Sequence, residues 1–469
     1  MDDISDLLLN GKRVYLIAPA GYGKTEEIAK AVKQSSSGRQ LILTHTHAGV
    51  YSLRKRLQRL NAPPKFYHID TIAGWALGYA SAYPTLSGIE ETKPTGVSWS
   101  NVYFTALNLL QSPHIKKVIQ SSYAGMYVDE YQDCTQSQHK IIMALANILP
   151  CRLVGDPLQG IFGFRKDDPL IDWEIDVKSN FESLPELVVP WRWNGENEKL
   201  GEWLKDFRRL LLEGRPISLP SPIIINWKPL TPQNKIVACS SLRETSVVAI
   251  DKTANQCHAI ASRLGGFYSS MEEMDCGDLL SAAQKIQSVT GFERAIAVID
   301  FAKSCMTQIS TDLARVHNAF SKTKTPDPTK YKKSDVQRSI RALNAIISSN
   351  EIHRVREAFQ EISTIDGARI YRRELWREMQ STLAAYDLTG SENLRDTAWR
   401  VRYRTRIIGR KSEARVVSRT LLIKGLEYDH AIVLDADNLD AKNLYVAMTR
   451  GRKSLTVLSA TRELKAKTT

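Results

Sequence analysis

The sequence predicts an α/β protein with two parallel, doubly wound cores in tandem, and three observations carry that prediction. Within residues 13–156, short apolar runs alternate with helix-spaced segments, and the runs end in glycine, threonine or acidic signatures. Strand-then-helix alternation returns at residues 246–264 and again at 414–458. Between these, residues 265–410 have helical spacing without strand character, broken by the basic, proline-containing stretch SKTKTPDPTKYKKSD. Alternation of this kind builds parallel sheets whose ligand site lies at the strand C-termini.

At 469 residues the chain has room for roughly two to four domains and an ample core. A hydrophobic content of 43% and a charged content of 25% are ordinary for a globular protein and exclude a disordered or fibrous one. The 64 basic residues exceed the 51 acidic ones by 13, which favours a polyanionic partner. The six cysteines are scattered without a CxxC pair, as expected in a reducing compartment with no disulfide framework or zinc site. No apolar run approaches the length of a membrane span, and the acidic start MDDISD is unlike a signal peptide. The expectation is a cytoplasmic protein with no membrane partner.

Residues 13–32 read RVYLIAPAGYGKTEEIAKAV and organise the chain. Residues 13–19 are β-branched and apolar and predict a buried strand. Residues 20–23 are small, and residues 25–32 have helical spacing. A strand, a glycine-rich turn, Lys-Thr and a helix make a P-loop. Ala20, Gly21 and Gly23 let backbone amides and the helix N-terminus face phosphate oxygens. Lys24 adds a point charge at the β- and γ-phosphates, and Thr25 offers a hydroxyl to Mg²⁺. Ala18 stands where the usual pattern has glycine.

A second strand at residues 40–44 runs into THTHAG. A helix at 50–60 follows, with Arg54, Lys55, Arg56 and Arg59 either along a phosphate backbone or on a solvated face. Residues 81–99, rich in Pro, Gly, Ser and Thr, predict a loop-rich insertion, and residues 102–120 a helix. The run MYVDEYQDCT then ends an apolar strand in two carboxylates. In a P-loop protein that is the second metal and water site, with Asp129 on Mg²⁺ and Glu130 polarising the attacking water. Another strand, RLVGD, is followed by PLQGIFGF, so Gln159 can present an amide to the γ-phosphate. A second unit starts near residue 186 with VVPWRWN and a helix at about 196–212.

In this order APAGYGKT, LTHTHAG, IDTIAGWA, VDEYQD, VGDPLQGIFGF, PWRWN, IKGLEYD and YVAMTRGR resemble the superfamily 1 DNA helicases of the UvrD/Rep/PcrA type. The motifs span residues 18–452, and the insertions between them, roughly half the chain, lie outside the resemblance. The resemblance implies two RecA-like domains with helical insertions. The first is residues 1–190, with a reduced insertion at about 78–122. The second is 191–264 with 411–469, interrupted by a helical insertion at 265–410. It implies ATP and Mg²⁺ as cofactors, Gln159 as γ-phosphate sensor, and Arg192 and Arg450 as arginines reaching the γ-phosphate from the second core. Trp191 lies where the family stacks a tyrosine on adenine, and Glu427 where it contacts the ribose. Phe164 matches an aromatic that stacks on a base of the single strand, with Arg165 as its phosphate-contacting neighbour.

The departures from the family cluster on DNA-contacting positions. His45 stands for an aromatic, His47 for asparagine, Ala73 for histidine and Leu421 for histidine, and no Gln-containing adenine motif precedes Val14. The resemblance therefore implies an intact ATP machinery with an altered grip on DNA. The function expected is an ATP-hydrolysing helicase or translocase on single-stranded or tailed duplex DNA, moving 3′ to 5′ as the family does. A rival reading is a DNA-dependent ATPase switch within a larger complex. Compact UvrD-like helicases of that kind accompany OLD-family nucleases in Gabija-type antiviral systems. An RNA helicase is a second rival, which the basic charge allows equally. The arginine-rich run at 395–415 is expected either to contact duplex DNA or a DNA-bound partner, or to form a charged face.

Overall fold

The computed structural model describes residues 3–35, 38–89, 99–163, 167–273, 276–349, 351–389, 393–408, 410–411 and 413–465. The side chains at 310, 312, 389 and 406–408 lie outside the described set. Phe164 and Arg165 also fall outside it. By contacts, the chain forms two compact units. One comprises Met1–Ile217, Leu439–Lys453 and Lys465–Thr469, and the other Ser218–Asn438 and Ser454–Leu464.

The first unit is built on six strands: β1 (Arg13–Ile17), β2 (Gln40–Thr44), β3 (Tyr67–Thr71), β4 (Gly125–Val128), β5 (Cys151–Gly155) and β6 (Glu182–Ser183). Their order is β3-β2-β4-β5-β1-β6, with every pairing parallel. Side chains alternate between faces along a strand, so each apolar run feeds two cores. Tyr15, Leu41, Leu43, Met126, Val128 and Leu153 pack on one face. Leu16, Ile42, Tyr127 and Val154 pack on the other, with Ile28 and Ala29 of the P-loop helix. This is why the strands read as continuous apolar runs rather than as alternating ones. The P-loop β1 lies between β5 and β6, and β4 lies between β2 and β5. The C-terminal ends of β1, β4 and β5 therefore open on one edge, and those ends carry the motifs.

Local signals set the helices. Thr135 and Gln138 form a capping box on Gln136–Ala146, as the T-x-x-Q spacing allows. Gly23 caps Lys24–Gln34 in the left-handed conformation at φ 89°, which a glycine adopts without strain. The predicted helix at 102–120 is two helices, Trp99–Leu109 and Pro113–Ser122, because Pro113 starts a new one. The predicted helix at 50–60 is His47–Arg59. Its Arg56 and Arg59 both pair with Glu26 of the P-loop helix, at 3.1 and 2.5 Å. Those two charges brace the fold.

The second unit carries a six-stranded sheet in the order Ser269–Ser270, Arg415–Ser418, Val247–Ile250, Tyr428–Val433, Gly451–Ser459, Asn226–Pro229. The described pairings in it are parallel. Val247, Ala249, Val417, Ile432 and Leu458 pack against Ile260 and Ala261 of the helix Ala254–Arg263. The two parallel sheets with their flanking helices give the α/β class that the alternation predicted. Between the strands of the second sheet lies a helical body with its own core, including Leu279, Val298, Phe301, Ile340, Phe359, Trp376 and Leu394.

Within the second unit the arginine-rich run is divided: Arg402 is turned inward, while Arg395, Arg400 and Arg404 are exposed. Arg402, on Leu394–Ile408, is 5% exposed. Its Nη1 donates to Glu374 at 2.6 Å and to Glu378 at 2.8 Å. Burial pulls on its pKa, but the charges of Glu374 and Glu378 outweigh that and hold it above the ordinary arginine value. Arg410 bonds Glu374 at 3.2 Å and the carbonyl of Glu272 at 2.6 Å. Arg415 lies 3.9 Å above the ring of Phe267. Arg402 and Arg410 are thus engaged by internal carboxylates and Arg415 by the Phe267 ring, which leaves the reading of the run as a DNA contact to its exposed members. A charge run has no period that reports burial, and carboxylates more than twenty residues away neutralise Arg402 and Arg410.

Among the described residues, no helix is long and apolar enough to cross a membrane. The six cysteines are buried free thiols.

Candidate functional site

The P-loop carries φ of 80° at Gly21 and 89° at Gly23. A side chain on Gly21 would sit 2.8 Å from Arg192 Cβ and from the ring of Trp193. The glycine is therefore required twice, by its backbone angle and by the neighbour packed on it. From this turn Lys24 and Thr25 begin the helix. Lys24 Nζ lies 3.3 Å from Glu130 Oε1. Thr25 Oγ1 donates to Asp129 Oδ2 at 3.1 Å. Residues 104 and 106 positions apart in sequence meet because β1 and β4 end on the same edge of the sheet.

Asp129 is buried, and burial first, then the charge of Glu130, pushes its pKa up to about 6, against the pull of Lys24 and Thr25. Glu130 sits in the left-handed conformation at φ 55°. Its backbone N–H donates to Asp129 Oδ1 at 3.0 Å, and its Oε2 accepts from Gln132 Nε2 at 2.5 Å. Glu130 is one of six described non-glycine residues with a positive φ, and here the strained backbone falls on the predicted catalytic base.

Gln159 is buried beside Asp156, whose Oδ2 accepts from its Nε2 at 2.9 Å. Arg450 is 1% exposed. Its Nη2 reaches Gln159 Oε1 at 3.5 Å and Thr449 Oγ1 at 3.0 Å, and its Nε donates to the Val446 carbonyl at 2.8 Å. Arg192 donates from Nη1 to the Thr449 carbonyl at 2.6 Å, and its backbone N–H bonds the Gly21 carbonyl at 3.0 Å. Trp193, buried, donates from Nε1 to the Gly451 carbonyl at 2.8 Å. The segments around Arg192 and Arg450 are thus tied to the P-loop, and residues 191–217 and 439–453 group with the first unit. The division by contacts falls at 217/218 where the motif order had placed a boundary at 190/191.

Trp191 is 57% exposed, and its Cδ1 would lie 3.3 Å from a side chain on Gly23. An open indole beside the P-loop glycine is a surface on which a base can stack. Ala20 is buried in the P-loop. Glu427 is exposed and lies in the second unit, just before the strand Tyr428–Val433. It is not among the residues gathered in the first unit.

Of the expected DNA contacts, His45 is half-buried against Phe162, with ring centroids 5.4 Å apart and planes at 43°. Sequence reasoning passed over Phe162, although it lies in the same GIFGF run as Phe164. It also passed over Gln132, Asp156 and Tyr445, each inside a quoted motif, and over Arg208. Arg208 carries no local signal, since it stands beside Arg209 on an amphipathic helix and reads as a solvated charge.

Residues 80–172 match the UvrD/REP helicase N-terminal domain. The chain is similar to the exonuclease/helicase subunit RexA of Lactococcus lactis subsp. cremoris, at 29% identity over 140 residues, 26% of this chain and 12% of that one. An ATP-dependent helicase/nuclease protein from Streptococcus agalactiae is 32% identical over 145 residues, 27% of this chain and 12% of that one. For the ATP-dependent helicase/nuclease protein from Leuconostoc mesenteroides the match is 24% over 173 residues, 34% of this chain and 14% of the relative. The chain thus spans about an eighth of the length of the curated relatives it matches. Among solved structures, the Candida albicans Pif1 helicase overlaps at a TM-score of 0.28 and 14% identity, over 51% of this chain and 53% of that one. The arterivirus nonstructural protein 10 helicase overlaps at the same TM-score and identity, over 52% and 49%. Those scores are too low to count towards an assignment. The domain match at residues 80–172 and the motifs in the family's order make this chain similar to the UvrD-like helicases.

Proposed function

We propose that this chain hydrolyses ATP and uses the cycle to move on single-stranded DNA. The observation that carries the proposal is the meeting of Lys24, Thr25, Asp129 and Glu130 at one strand edge, with Gln159, Arg192 and Arg450 beside them. Thr25 Oγ1 and Asp129 Oδ2 are hard oxygens 3.1 Å apart, the donor chemistry Mg²⁺ takes, and would hold it. Mg²⁺ when bound offsets charge on the β- and γ-phosphates. Lys24 would exchange Glu130 for phosphate, releasing the Glu130 carboxylate to take a proton from the attacking water. Gln132 would keep that carboxylate aimed. Gln159 and Arg450 already touch, so a γ-phosphate arriving at either is felt by both. Arg192 and Arg450 would spread the charge of the transferring phosphoryl group. Trp191 would stack on the base. A cytoplasmic setting and 3′ to 5′ movement belong to the same proposal.

Arg450→Ala is expected to lower kcat about 10²- to 10³-fold with a much smaller change in nucleotide affinity, since its charge is needed most in the transition state. Arg192→Ala should act in the same direction. Steady-state hydrolysis beside equilibrium nucleotide binding separates the two quantities. Parental turnover in either variant removes that arginine from the γ-phosphate.

For the partner, ATPase rates are to be compared with single-stranded DNA, with RNA and with neither. Stimulation by DNA above RNA is the expected result; equal or greater stimulation by RNA overturns the DNA assignment. The altered positions His45, Ala73 and Leu421 favour a second reading, in which the chain is a DNA-dependent ATPase serving a nuclease partner of the OLD-family type. Fewer stacking and hydrogen-bonding groups shorten residence on the strand, because changes to an interface act mostly on dissociation. Single-turnover unwinding of tailed duplexes of increasing length, with a trap for released protein, is expected to open only short duplexes. Opening of hundreds of base pairs per binding event would count against the weakened grip.

A further inference from the structure

Asp156 is 0% exposed, and its carboxylate divides between two chains of contact. Oδ2 holds Gln159, which meets Arg450. Oδ1 accepts from Arg208 Nη1 at 2.7 Å. Arg208 lies on Glu198–Leu212, with its guanidinium carbon 5.3 Å from the ring centre of Tyr445. Phe207, its neighbour on the same helix, stacks on that ring at 6.5 Å with planes 12° apart. The Tyr445 hydroxyl in turn accepts from the Ala20 backbone N–H at 3.0 Å. The backbone N–H of Asp156 itself donates to Gln132, which bonds Glu130. One buried residue, through its carboxylate and its backbone N–H, therefore connects the water-activating glutamate, the γ-phosphate sensor, an arginine and the P-loop.

We propose that Arg208 is a positioning residue for the nucleotide site: bound to Asp156 and laid over Tyr445, it fixes the Tyr445 hydroxyl on the Ala20 amide and so sets the shape of the P-loop. The inference rests on the nucleotide-site reading above and extends it to residues with no phosphate contact. Two physical facts favour a positioning role over a plain buried ion pair. The planar guanidinium serves a carboxylate and an aromatic face at once, which a lysine ammonium cannot. The Ala20 N–H lies in a turn whose other polar groups are needed by the ligand, so a fixed internal acceptor orders the turn before the ligand arrives. Burial lowers the pKa of Arg208, but the charge of Asp156 outweighs it, and the side chain stays cationic. Tyr445 keeps its proton, since burial and the Asp156 charge raise its pKa.

The test uses the full chain and a fluorescent ADP with Mg²⁺, together with steady-state ATP hydrolysis and the thermal midpoint. Tyr445→Phe removes one oxygen. It is expected to raise the nucleotide Kd about five- to tenfold, the worth of one such hydrogen bond, with kcat within about twofold and the midpoint nearly unchanged. Arg208→Gln should raise Kd at least as far and also lower the midpoint, because Asp156 is left buried without a cation. Adding Asp156→Asn to Arg208→Gln should restore the midpoint but not the Kd, since Tyr445 remains unclamped. A merely structural pair would restore both. Should Arg208→Gln fail to fold, Tyr445→Phe decides alone. Parental Kd in Tyr445→Phe, with the parent binding and hydrolysing normally, overturns the positioning role and leaves the ATPase reading standing. A parent chain that binds no nucleotide overturns both.

Discussion

Glu130→Gln is expected to bind ATP at close to the parental affinity and to hydrolyse it about 10²- to 10⁴-fold more slowly, the range that a general base contributes. The substitution keeps the size of the side chain and leaves an oxygen to accept the Gln132 bond, now 2.5 Å long. It removes the charge that faces Lys24 at 3.3 Å, so the lysine is if anything freer for phosphate. It also removes the second cause of the raised Asp129 pKa, which should fall back towards the ordinary aspartate range and so not weaken cation binding. Lys24→Ala is expected to differ in kind. It takes a cation away from two carboxylates at the strand end and should lose both binding and turnover. Equilibrium binding of labelled ATP together with phosphate release distinguishes the two patterns. Unchanged turnover in Glu130→Gln would remove Glu130 from the role of base.

Arg402→Ala is expected to destabilise the second unit by about 3–5 kcal/mol, because it leaves Glu378 buried with an uncompensated charge while Glu374 keeps only Arg410 as its cation. Arg404→Ala on the same helix should change stability by less than about 0.5 kcal/mol, as an exposed side chain does. If the exposed part of the run meets duplex DNA, the Arg404 variant alone should flatten the salt dependence of binding, by about 0.9 in slope for a lost phosphate contact. Denaturant unfolding of both variants, followed in parallel with salt titrations of DNA binding, checks the division. An Arg402→Ala chain of parental stability would show that the buried network is not needed for the fold.

What the sequence determined by itself is the chemistry held in consecutive residues and the class of fold that presents it. A P-loop is local: the strand, the turn with Gly21 and Gly23, and Lys24 and Thr25 follow one another, so each role is set within a dozen positions. The same holds for Asp129 and Glu130 at a strand end, and the apolar runs shielded on both faces marked the parallel strands. Tertiary structure alone decided which charges are used internally. Arg56, Arg208, Arg402 and Arg410 all read as surface cations, and each is tied to a carboxylate at least 28 residues away in sequence. Burial of a charge is fixed by long-range pairing, which leaves no trace in local spacing. For the same reason, the bond from Ala20 to Tyr445, 425 positions apart, and the grouping of Arg192 and Arg450 with the P-loop became visible only when the chain was folded.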